Sequence, residues 1–185
     1  MRGAKLSADL SSDLGEDRKT LPPSLLDDVA ALPQVESVSG GATGQAVVVG
    51  RNGKAVGGFG PPAIGDSWDP SNTFNPLQVV AGAAPTADDQ VLMTVFTADQ
   101  ADVRVGDTVR IVTRTGTTEY TVSGLARYFG DRDSLAGETY VAFTLPEAQR
   151  AFGVPGALTY IDVHAAAGVS DEQLKQQVQR VIGDG

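Results

Sequence analysis

The residues that could do chemistry in this sequence are a lone histidine, two close carboxylate pairs and a scatter of glycines. His164 is the chain's only histidine, and there is no cysteine. A hydrolytic triad needs a base beside its nucleophile, and no Gly-x-Ser-x-Gly elbow accompanies His164. Zinc wants three or four N, S or O ligands, which one His without Cys does not supply in a usual set. His164 follows Tyr160, Ile161 and Val163 in a strand-like run, so it reads as a surface or edge histidine. Asp27-Asp28 could form an acid–base pair, but the positive end of a helix dipole already accounts for both. Asp131-Arg132-Asp133 suggests calcium, yet the closing Gly and later Glu of a calcium loop are missing. Glycines 40, 41, 44, 57, 58 and 60 fall outside a phosphate-binding G-x-G-x-x-G register. The sequence therefore predicts no catalytic, cofactor-binding or metal site.

The sharper candidates are aromatic. The stretch 61–76 (PPAIGDSWDPSNTFNP) is rich in Pro, Gly, Asp, Asn and Ser, yet carries Trp68 and Phe74. An irregular segment of this length is a linker pinned to the core by its aromatics, or a functional loop. Aromatics are favoured interface anchors, so Trp68 and Phe74 are candidate partner or hinge contacts.

Composition narrows the class. The chain has 185 residues, 41% hydrophobic and 20% charged, with a net charge of −9. It is long enough for a core in one domain or two small ones. The acidic balance argues against nucleic acid, which needs clustered Lys and Arg, and against a polybasic grip on anionic lipid. No apolar run of about 18 residues is present to span a bilayer, and the first residues lack a signal-peptide core. The ends, Met1-Arg2-Gly3 and Gly183-Asp184-Gly185, carry no structural punctuation and are read as cuts from a longer chain.

The elements that must position these residues are a mixture. In 103–127, Val109 and Ile111 alternate with polar residues, as do Tyr120 and Val122, which gives two half-buried strands turning at Thr115-Gly116-Thr117. Leu25, Leu26, Val29 and Leu32 form a helical stripe ended by Pro33. Residues 35–59 read as strands turning at Asn52-Gly53 in a type I′ hairpin. Ala4 to Leu10 suits a short strand, and 13–20 a solvated loop. Further strands are expected at 77–80, 90–94, 138–143 and 159–165. Helices are expected after a capping box at Thr97/Gln100, over 145–152, and after a second box at Ser170/Gln173. The order predicts an α+β fold rich in antiparallel pairs.

In that order and spacing the chain resembles the extracytoplasmic domain of ABC transporter permeases of the MacB/FtsX/LolE type. The pieces that carry the resemblance are ALPQVESVSG, LQVVAGAAPTADDQVLMT, FTADQADVRVGDTVRIVTRTGTTEYTVSGLAR, TYVAFTLPEAQRAFG and TYIDVHAAAGVSDEQLKQQVQRVIG, which together cover most of 23–183. The resemblance implies a porter-like subdomain of β-α-β units over 1–60 plus 156–185. An inserted small α/β, Sabre-like subdomain rich in hairpins would occupy 61–155. It implies a non-catalytic part without cofactor, at the outer face of the cell membrane and tethered by flanking transmembrane helices outside this sequence. ATP-driven motion would reach it through those helices from a cytoplasmic ABC ATPase. A second permease protomer or second copy of the domain, and an extracytoplasmic substrate or lipoprotein, are the implied partners. The chain stops after its last helix, where such domains often add a strand. A free-standing extracytoplasmic binding or adhesion module is the alternative.

Overall fold

A computed structural model describes residues 4–7, 20–57 and 60–182. The predicted loop over 13–20 lies almost wholly outside them. The chain divides into two compact units, 1–41 with 156–185 and 42–155.

The first unit is a three-stranded antiparallel sheet with two helices. Its strands are β1 (Ala4–Ser7), β2 (Val35–Gly41) and β11 (Tyr160–Ala165), in the order β1-β11-β2. α1 (Ser24–Ala30) buries Leu25 and Val29, and Asp27 and Asp28 point to solvent. α4 (Asp171–Ile182) buries Leu174 and Val178. The capping box read from the sequence is realised at its start: Gln173 N–H donates to Ser170 Oγ (3.2 Å) and Ser170 N–H to Gln173 Oε1 (3.0 Å). Gly41 lies opposite Tyr160, where an added Cβ would sit 2.1 Å from the ring, so only glycine lets the tyrosine lie across that strand.

The second unit is one eight-stranded sheet with two short helices. β3 (Thr43–Gln45), β4 (Val47–Val49), β5 (Ala63–Ser67), β6 (Leu77–Gly82), β7 (Gln90–Thr94), β8 (Thr108–Thr113), β9 (Gly116–Tyr128) and β10 (Thr139–Phe143) run in the order β3-β5-β10-β7-β9-β8-β4, with β6 beside β9. The two ends of that order are consecutive in the chain. The sheet curls until one segment, turning at the buried Ala46, pairs with β5 on one side of the turn and β8 on the other. Gly65 of β5 makes room for the turn, since a Cβ there would lie 2.6 Å from the Ala46 methyl and 2.6 Å from Phe152. Two pairings, β5 with β10 and β7 with β9, are parallel. α2 (Val95–Ala101) and α3 (Leu145–Ala151) complete the unit. Inside, Tyr120, Phe143 and Phe152 stack edge to face at 5.3 and 5.8 Å.

The fold is α+β, as expected, but four sequence readings need correction. Residues 42–57 do not join the first unit, because β3 and β4 find their backbone partners in β5 and β8. The stretch 61–76 is not wholly irregular: Ala63–Ser67 is a strand flanked by β3 and β10. At Asn52-Gly53 only Gly53 takes a positive φ (77°), so the turn is not type I′. The cap of α2 is Thr94, not Thr97; Thr97 is fully buried, and its hydroxyl accepts the Tyr140 N–H at 2.9 Å.

Among the described residues no helix is long and apolar enough to cross a membrane.

Candidate functional site

The loop between β9 and β10 (129–138) is held from beneath by one carboxylate. Glu138 is 5% exposed, and accepts the N–H of Leu135 (2.9 Å), the N–H of Ala136 (2.7 Å) and the Ser134 hydroxyl (3.0 Å). Ser134 Oγ accepts the Gly137 N–H at 2.7 Å. Burial pushes the Glu138 carboxyl up, but these donors outweigh it and hold the group at about 2. Burial first, and then the neighbouring Glu138 carboxylate, raises the Tyr128 phenol well above the ordinary tyrosine range. Above this base, Tyr128 N–H donates to the Arg132 carbonyl (2.8 Å) and Arg127 pairs with Asp133 at 2.6 Å. Gly130 and Asp131 turn the chain with φ of 84° and 57°. The result is a fixed loop that displays Phe129 at 60% exposure and Leu135 at 57%.

The residues singled out in the sequence are distributed otherwise. Trp68 is 7% exposed, in a cluster with Leu77, Leu92, Ala126, Tyr128, Tyr140 and Ala142. Phe74 is half-buried. The turn between them is tied by Asp69, whose carboxylate accepts N–H groups from Ser71, Thr73 and Phe74 and the Ser71 hydroxyl. Asp133 spends its charge on Arg127, and among the described residues no three His, Cys, Asp or Glu side chains gather as metal ligands. His164 sits on the central strand of its sheet, not an edge, half-buried with Nδ1 3.3 Å from Ser37 Oγ.

Other polar clusters are also absorbed in structure. Glu147, 1% exposed at the start of α3, receives the Tyr120 hydroxyl and pairs with Arg150, while its own N–H reaches the Thr144 cap. Burial, then the Glu147 carboxylate, raises the Tyr120 phenol. Asp66 accepts the Tyr140 hydroxyl at 3.1 Å. A cleft of about 340 Å³ beside β4 and β8 holds Arg51, which is bonded to Asp107 (2.7 Å) and to the Asp102 carbonyl (2.9 Å).

Phe129 and Leu135 escaped the sequence reading. The available signal was an aromatic and a leucine inside FGDRDSLAG, a stretch otherwise composed for a loop.

Comparison with known proteins bears on what such a loop and two units serve. The family described as the MacB-like periplasmic core domain matches residues 4–181. No curated protein matches the chain. The extracellular domain of the noncanonic ABC-type transporter YknZ from Gram-positive bacteria is similar in fold, with a TM-score of 0.61 and 12% identity over 89% of this chain and 83% of that one. The periplasmic region of MacB from Actinobacillus actinomycetemcomitans gives 0.59 and 13% identity over 88% and 72%.

Proposed function

The chain belongs to the MacB-like periplasmic core domain family and is an extracytoplasmic domain of an ABC transporter permease; on that premise we propose that it is a non-catalytic relay. In this reading flanking transmembrane helices tether it at the outer face of the membrane. ATP-driven movement of those helices, set off by a cytoplasmic ATPase, shifts the domain against a substrate or partner outside the cell membrane.

The supporting observation is how the polar side chains are used. Glu138, Glu147, Asp69, Asp133 and Arg51 each close a loop, a helix or a strand junction through hydrogen bonds or ion pairs. A part that transmits displacement needs units that do not yield internally, and bonds of this kind stiffen loops that would otherwise open first. The division into two compact units, each with its own sheet, supplies the bodies to be moved.

The test uses the full permease with its ATPase in lipid. A spin label on an engineered cysteine at Glu119, exposed on β9, reports the distance between two copies; the absence of native cysteine in this domain keeps its labelling single-site. The expected result is a distance distribution that shifts between nucleotide-free and ATP-bound states. A distribution indifferent to ATP in a transport-competent permease would refute the relay. Replacing the domain by a flexible linker is expected to abolish transport while ATP hydrolysis continues.

A further inference from the structure

We infer that residues 129–136 form a weak, self-complementary contact between two copies of this domain. The inference rests on the relay reading for one thing only, that a permease brings two copies together.

Phe129 and Leu135 are the most exposed large apolar side chains among the described residues, ahead of Val80 at 48%. Single exposed apolar residues are ordinary. Here two share one loop whose backbone is already fixed by Glu138, Ser134 and the Tyr128–Arg132 bond. Anchors on a preordered loop bind with little further loss of chain freedom. Between the anchors lie Asp131 and Arg132, both exposed and neither in an ion pair with another described residue. Opposite charges side by side, flanked by apolar groups, match themselves after a twofold rotation: Asp131 of one copy meets Arg132 of the other, and the reverse, as an isologous interface requires.

Other occupants fit less well. An anionic lipid surface would meet Asp131 and a chain of net charge −9. The open edge of β6 is blunted by a bulge at Val80, a device that discourages strand addition. Size then sets the strength. Eight loop residues cover far less than the ~800 Å² per partner of a stable interface, so free copies should associate only weakly, with a Kd on the order of 0.1–1 mM. Held in one permease, two copies face each other at roughly millimolar effective concentration, enough to populate such a contact.

The experiment is sedimentation equilibrium of this chain up to about 2 mM, a concentration of the order a short tether supplies. Reversible dimerisation is expected. Phe129→Ser should raise the Kd at least about tenfold, as loss of a central anchor does, with Leu135→Ser as a second apolar probe and circular dichroism confirming the fold of each. Asp131→Arg alone and Arg132→Asp alone should each weaken association about three- to tenfold, the range of two exposed ion pairs. Asp131→Arg combined with Arg132→Asp should restore it, because the swapped patch is again its own complement. Absence of association, or a double swap as weak as the singles, overturns the proposal. So does Phe129-dependent binding to phosphatidylcholine or phosphatidylglycerol vesicles without dimerisation. This experiment contains no membrane and no ATPase, so its failure leaves the relay reading standing. ATP-insensitive spin-label distances would sink the relay without touching the contact.

Discussion

Replacing Glu138 by Gln should unpin the 129–137 loop and change how stability depends on acid. The carboxylate has three donors: two backbone N–H groups and a serine hydroxyl. Its folded-state value of about 2 lies below the ordinary 4.5. With ~1.36 kcal/mol per pKa unit, that gap is worth at most about 3 kcal/mol. The sign follows from the depressed value. The contribution is fully present above the ordinary value and is lost as pH falls from there through about 2. Gln keeps the shape but turns an amide donor towards groups that are themselves donors, so Glu138→Gln should cost roughly 2–3 kcal/mol at pH 7. Trp68, the chain's only tryptophan, packs in the cluster that contains Tyr128 and reports unfolding of this unit by fluorescence. Urea titrations of both proteins at pH 7, 5, 4, 3 and 2.5 should show two stability curves that converge with acid, at unchanged m-value. Amide exchange at Leu135 and Ala136 should quicken in the variant at pH 7. Parallel curves over the whole range would refute the account of Glu138 as the loop's clamp.

Two further substitutions probe the same unit. Tyr120→Phe leaves buried Glu147 without its phenol donor and should destabilise by about 2 kcal/mol. A double-mutant cycle with Glu147→Gln should give a coupling energy of about 1–3 kcal/mol. Because Tyr120 and Tyr128 both hold their protons more tightly when folded, stability should be intact below pH ~10 and fall as pH rises beyond it, by ~1.36 kcal/mol per pH unit for each tyrosine. Tyr120→Phe should remove about half of that slope in denaturant titrations at pH 10–11. Trp68→Ala opens a cavity among Leu77, Leu92 and Tyr140 and should cost about 3–5 kcal/mol in thermal unfolding. An unchanged melting temperature would remove Trp68 as the anchor of the 61–76 segment.

Local chemistry was legible wherever it was sufficient. Ser170 and Gln173 cap α4 because both partners lie within one turn. The alternation of Val109, Ile111, Tyr120 and Val122 marks β8 and β9 because one face of each is buried. Legibility failed where distant partners decide. Ala63–Ser67 lacks alternation and carries Asp66 and Ser67, yet it is a strand because β3 and β10 supply its hydrogen bonds. The boundary at 41/42 was invisible since β2 runs into β3 through Ala42 alone, with no linker composition to mark it. At the candidate site, the exposure of Phe129 and the burial of Trp68 both depend on how the sheet curls, which no local pattern records.

The pairing of β2 with β11 has a consequence for biosynthesis. A ribosome emits residues 35–41 early, but their neighbour in the sheet is not made until 160–165. The whole of 42–155 leaves the exit tunnel in between and can complete its own sheet first, as contiguous domains tend to do during synthesis. The early strand must meanwhile stay unpaired. Its composition of Ser, Gly and Glu around two valines, VESVSGG, is poor in the apolar β-formers that drive premature strand stacking. Translation order thus favours a mild, polar early strand in a unit that only the arrival of residues 160–165 can finish.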